Sequence, residues 1–109
     1  MPATTRIYGT SSRGSGFDEG TVQAVWNKGQ IVPGINPNLR RKDGCGAWID
    51  RAEYGLTSEF GTGWEIDHIN PISNGGTDAL SNLQPLQWQN NRRKGDNLWG
   101  WSCAVAAKH

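Results

Sequence analysis

The chain has 109 residues, 35% of them apolar, with 15 glycines and a net charge of +1. That length fits one domain with a modest core, and the near-zero charge gives no global signature of a polyanion binder. No stretch approaches the roughly 20 apolar residues of a membrane span, and the N-terminus "MPATTRIYGTSSRGSG" lacks the apolar centre of an export signal; a soluble, cytoplasmic protein is the expectation.

Six tryptophans are many for this length, and burying such large rings compensates for a core poor in aliphatic side chains. Cys45 and Cys103 are far apart and form no CxxC. Four zinc ligands are therefore not in evidence, and no structural zinc is expected. Free thiols are the default without an export signal, with a disulfide as the alternative.

Residues 1–16 are rich in Gly, Ser and Thr and read as irregular. "FDEGTVQAVWNKG" reads as a helix: Asp18 can cap it, Val22, Val25 and Trp26 share a face, and Gly29 can end it. A long connection broken by Pro33, Gly34 and Pro37 follows. "AWIDRAEYG" fits a strand or a short helix, with Trp48, Ile49 and Tyr54 feeding the core. Trp64–Asn70 is strand-like, and "PISNGGTDALS" is a loop whose Gly75-Gly76 calls for a backbone position with φ > 0. "NLQPL" makes a second short strand, with Pro85 tolerated because both strands of a two-stranded ribbon are edges. "QWQNNRRK" makes about two helical turns stopped by Gly95. The tail "LWGWSC" is expected to pack back on the domain, and residues 104–109 to be loose. The fold class is α+β: one domain over residues 17–103, built on a two-stranded antiparallel ribbon plus helix at 64–96, with an N-terminal helix. "RRK" occurs at Arg40–Lys42 and again at Arg92–Lys94. Such triplets are mostly solvated surface; the second reading makes Arg41, Lys42, Arg92, Arg93 and Lys94 phosphate contacts.

The candidate chemical groups are Asp67, His68, Asn82 and Asn91. His68 to Asn82 spans 14 residues and Asn82 to Asn91 spans 9. Singly, each has a bland reading: a polar surface pair, a turn residue, a solvated helix residue. Jointly, a strand-loop-strand-helix unit brings them around one crevice. The stretch "DHINPISNGGTDALSNLQPLQWQNNRRKG" resembles the HNH nuclease motif, also called the ββα-metal or His-Me finger. The family pattern is roughly DHxxPxxxGGxxxxxNLxxLxxxxNxxKG. The likeness covers about thirty residues, and its joint features are specific where a lone Asp-His pair is not.

The resemblance implies an endonuclease that hydrolyses DNA, leaving 5′-phosphate and 3′-hydroxyl ends. It also implies site roles. His68 is the general base, since a neutral imidazole with reference pKa near 6.5 can take a proton from water. Asp67 and Asn91 hold one divalent cation, and Asn82 holds the ribbon together and orients His68. An Asn in the last position, where many relatives have His, favours a hard cation, Mg²⁺ or Mn²⁺. Gln87 and Asn90 stand where many relatives carry a zinc-binding CxxC pair, so aromatic packing is expected to hold this finger together.

Double-stranded DNA is the expected partner, and a monomer the default state. A non-catalytic nucleic-acid-binding module, or a nuclease toxin or effector domain of a larger system, are the other readings. The alternatives to a cytoplasmic protein of the cell's own are a phage- or mobile-element-encoded protein and a delivered effector. One tension is built in: neighbours in a regular strand point to opposite faces, so Asp67 and His68 can share one phosphate only where the strand twists or ends.

Overall fold

A computed structural model describes residues 8–107. Its first helix, α1 (Glu19–Trp26), starts where expected: the Asp18 side chain accepts from the Thr21 amide at 2.7 Å, and Val22, Val25 and Trp26 are buried. β1 (Arg40–Lys42) and β2 (Trp48–Asp50) form an antiparallel pair. A 3-10 turn over Arg51–Glu53 follows directly, so "AWIDRAEYG" is strand first and helical turn second.

β3 (Trp64–His68) pairs antiparallel with β4 (Leu83–Gln87) in the register Trp64↔Gln87 through His68↔Leu83. Pro85 sits opposite Ile66, a place the ribbon tolerates because the outer side of each strand faces no further strand. α2 (Trp88–Lys94) follows β4 without a break, and the Gln87 side chain caps it by accepting from the amides of Gln89 and Asn90. Gly95, with φ 55°, ends it.

Alternation splits the ribbon into two faces. Trp64 and Ile66 join Val22, Val25, Trp26, Ile49 and Leu83 in the core, with Phe17 and Tyr54 packed against it. The Trp64 ring lies 5.3 Å from that of Trp26 and 4.8 Å from that of Tyr54. Glu65 and Asp67 point the other way, toward α2. Only Trp26 and Trp64 of the six tryptophans are fully buried, and Trp99 is 80% exposed; the tail does not pack through that ring.

Residues 69–82 connect the strands and are closed by two glycines with separate reasons. Gly75 has φ 84°, a left-handed conformation that costs a side-chain-bearing residue. A Cβ on Gly76 would fall 1.8 Å from the Asn70 carbonyl oxygen, so the chain passes there only without a side chain.

The surroundings of Gln87 and Asn90 are held by a polar knot, not by the aromatic packing expected there. Asp43, 1% exposed, accepts from the amides of Cys45 and Ala47 with Oδ1, and from the Gln87 amide and Asn90 Nδ2 with Oδ2. Asn90 Oδ1 accepts from the amides of Ala104 and Val105. The Ala107 amide donates to Gly46, so residues 104–107 are tied down; residues 108 and 109 of the expected loose end lie outside the described residues. Cys45 and Cys103 are not free thiols; they form a disulfide across 58 residues that fastens this tail to the β1–β2 turn. The C-terminal tail packs on the β1–β2 turn and so brings the two cysteines together, which spacing alone does not reveal.

Closing a loop of that length restricts the unfolded chain, so replacing both cysteines by serine is expected to lower unfolding stability by about 2–4 kcal/mol. Urea denaturation of the oxidised protein beside the Cys45→Ser/Cys103→Ser variant measures it; superimposable curves would show the bridge to be energetically idle.

Candidate active site

The four residues singled out by spacing lie on three elements. Asp67 and His68 end β3, Asn82 closes the 3-10 turn before β4, and Asn91 is in the middle of α2. β3 stays paired through both Asp67 and His68, and the Ile69 amide still donates to the Asn82 carbonyl. The strand does not break at the acid-histidine pair. Asp67 and His68 therefore go to opposite faces, and each is nearly closed off, at 1% and 6% exposure.

On the α2 face, two strand carboxylates meet three helix side chains. Asn91 Nδ2 donates to Glu65 Oε1 at 3.0 Å, and Arg92 pairs with the same oxygen at 2.6 Å. The Lys94 ammonium lies 3.2 Å from Asp67 Oδ1 and donates to the His68 carbonyl at 2.8 Å. Gln84, directly across from Asp67, donates to its other oxygen at 2.9 Å. Residues i and i+2 on the strand thus face residues i and i+3 on the helix, and Asp67 and Asn91 border one small polar cluster.

Asn91 carries the least expected feature. A carboxylate can only accept, so the amide nitrogen of Asn91 must face Glu65 and its oxygen must face away. That oxygen is buried without a hydrogen-bond partner among the described residues. A buried acceptor left unpaired costs about 1–3 kcal/mol, and such a group is completed by a water or a ligand. Asp67 and Asn91 together offer a charged and a neutral oxygen. That donor set fits a hard cation such as Mg²⁺, which uses one or two carboxylates and takes its remaining ligands from water and substrate phosphate.

On the α1 face, the His68 ring lies 6.1 Å from that of Phe17, and its Nε2 is 2.8 Å from Asp78 Oδ1. Partial burial alone would raise the Asp78 pKa. Hydrogen bonds from His68 and Ser12 outweigh that and hold the carboxyl below the ordinary carboxylate range. Asp78 is thus ionised at neutral pH, and its bonds weaken only when acid protonates it.

Asn82 does not orient His68 directly. Its side chain accepts from the Asn70 amide and donates to the carbonyls of Asn70 and Thr77, clasping the two ends of the connecting loop. The direct partner of His68 is Asp78, one residue past Thr77. Nothing in the spacing marks Asp78, which sits among loop residues. Glu65, also overlooked, was within reach of strand alternation: it is two residues from Asp67 on the same face.

The five basic candidates separate by burial. Arg41 is buried and donates to the carbonyls of Asn27, Gly29 and Pro37, and Lys94 is buried on Asp67. Neither is placed to meet a phosphate from solvent, because each satisfies groups inside the domain. Arg92 pairs with Glu65 and lies 3.8 Å over the Tyr8 ring. Arg93 is exposed, and Lys42 is partly exposed with its ammonium 4.7 Å over Trp48.

Removing the Lys94 charge leaves Asp67 ionised and uncompensated in a buried site, so Lys94→Met is expected to cost about 3–5 kcal/mol. Adding Asp67→Asn should recover much of that loss. A double-mutant cycle by chemical denaturation measures the coupling, and strictly additive losses would mean that the two groups do not interact.

Residues 53–97 match the family model described as HNH endonuclease. The matched segment contains β3, the connecting loop, β4 and α2, and with them Asp67, His68, Asp78, Asn82, Asn91 and Lys94. No curated protein and no solved structure matches the chain. Among the described residues, no helix is long and apolar enough to cross a membrane.

Proposed function

We propose that the HNH-family segment of this chain, residues 53–97, is the centre of a divalent-metal-dependent endonuclease that hydrolyses DNA phosphodiester bonds. The observation that carries the reading is the Asn91 oxygen, buried without a hydrogen-bond partner among the described residues on the face it shares with Asp67. Most buried side-chain polar atoms have a hydrogen-bond partner. Asn91 keeps an oxygen in reserve, inside the segment that matches a nuclease family.

The chemistry asks three things of the chain: an activated water, neutralised phosphate charge, and help for the departing oxygen. His68 is the base that takes a proton from the attacking water. Asp67 and Asn91 hold the cation, which when bound lowers the charge on the phosphate and on the leaving oxygen. His68 and Asp67 adjoin at the C-terminal end of β3 with side chains that diverge, so the scissile phosphate must reach across that end to meet both the base and the cation. Asn82 keeps the connecting loop closed on that end. Arg93 and Lys42 meet flanking phosphates, each adding a salt-sensitive contact.

A second reading has its own observation. Lys94 already compensates the charge of Asp67, and such a pair serves a non-catalytic binding module as well as it serves a nuclease. Cutting separates the two.

Supercoiled plasmid incubated with Mg²⁺ or Mn²⁺ should be nicked, and EDTA should stop the reaction. His68→Ala should lose about 100-fold or more of the rate while metal binding persists, and Asp67→Ala should weaken metal binding. Salt-dependent DNA retention with no cutting under any metal would establish the binding module instead, and full activity in His68→Ala would remove His68 as the base.

A further inference from the structure

Asp78 gathers three hydrogen bonds that the family motif does not account for. Oδ1 lies 2.8 Å from His68 Nε2 and accepts from the Ser12 amide at 2.9 Å, while Oδ2 accepts from Ser12 Oγ at 2.7 Å. Ser12 is itself held in a turn: the Ser11 amide donates to the Ser15 carbonyl at 2.7 Å, and the Gly14 amide to the Ser11 carbonyl at 2.9 Å. Both carboxylate oxygens are thus engaged by a segment that lies outside the matched residues 53–97. Phe17, also outside it, flanks the His68 ring.

We infer that Asp78, clamped by Ser12 of the N-terminal arm, is the positioning residue that fixes the ring orientation and tautomer of His68. The inference rests on the reading of His68 as the base. An ionised carboxylate has no proton to give, so in the neutral ring the hydrogen must sit on Nε2. The lone pair then belongs to Nδ1, and Nδ1 is the atom that takes the proton from water. In the other tautomer the Nε2 lone pair would face the carboxylate, which is repulsive. Once His68 has taken its proton, the same carboxylate faces a cation. Asp78 therefore favours the ring both before and after proton transfer without touching substrate. The arm is an extension of the site: Ser12 fixes the carboxylate, and the carboxylate fixes the base.

The protein contains only two histidines, His68 and His109, so imidazole nitrogen resonances of the full chain are readily assigned. In long-range proton–nitrogen spectra at alkaline pH, wild-type His68 should show the Nε2–H tautomer. Asp78→Ala should show a mixture of tautomers, and its kcat on plasmid should fall about 10- to 100-fold, with KM for DNA and the metal dependence unchanged. Ser12→Ala, at an exposed site, should move both readouts the same way by less, and it carries the test should Asp78→Ala fail to fold. An Nδ1–H tautomer in the wild type, or tautomer and kcat both unmoved by the variants, overturns the inference. Full cutting by His68→Ala would instead remove the base assignment alone, because the tautomer spectra still report whether Asp78 holds the ring.

Discussion

The antiparallel pairing of β3 with β4 is the constraint on which the remaining geometry depends. Its register runs unbroken from Trp64↔Gln87 to His68↔Leu83, and a period of two leaves no freedom in where side chains go. Trp64, Ile66 and His68 face the core and α1; Glu65 and Asp67 face α2. A slip of one residue would place Glu65 and Asp67 in the aromatic core and Trp64 among the charges of α2. Both faces are covered, which is why all five residues of β3 are buried. The acid-histidine pair is thus the point where one strand serves two different environments, one aromatic and one ionic.

Each environment is completed from elsewhere in the chain. On the ionic face, α2 supplies Asn91, Arg92 and Lys94, and the two carboxylates of β3 each meet a cation. Burial of either charge alone would be costly, so helix and strand are mutually specified. On the other face, the N-terminal arm reaches the connecting loop through Ser12 and Asp78. Tyr8 of the same arm stacks on Arg92, so one short segment touches both sides of the ribbon.

The support of the finger is chemically unusual but physically direct. Asp43 accepts four hydrogen bonds from the β1–β2 turn and the β4–α2 junction. Asn90 carries the network on to the tail, and the Cys45–Cys103 disulfide fastens that tail to the same turn. A multiply bonded carboxylate and a covalent bridge do what a metal-centred cross-link does in other small folds: they join segments distant in sequence at one point. An aromatic cluster exists as well, but it lies on the α1 face and supports the core.

Much of this was legible in the chain itself. Helix α1, its Asp18 cap, the two strands, the glycine pair and helix α2 follow from period, capping and turn chemistry, which act between neighbours. The family likeness followed from fixed spacings, and the match over residues 53–97 agrees with it. Other features depended on which distant residues meet: the bridge between Cys45 and Cys103, the Asp43 knot, the burial of Lys94 and Arg41, and Asp78 as the partner of His68. None has a local signature, because an Asp in a polar loop or a Lys on a short helix has the same intrinsic preference wherever the chain leads it. Local sequence determined α1, β3, β4 and α2 and the faces they bury, whereas β1 lies inside what reads as a connection. Long-range packing alone decided which polar groups were left to satisfy one another, and it left the Asn91 side-chain oxygen without a hydrogen-bond partner among the described residues.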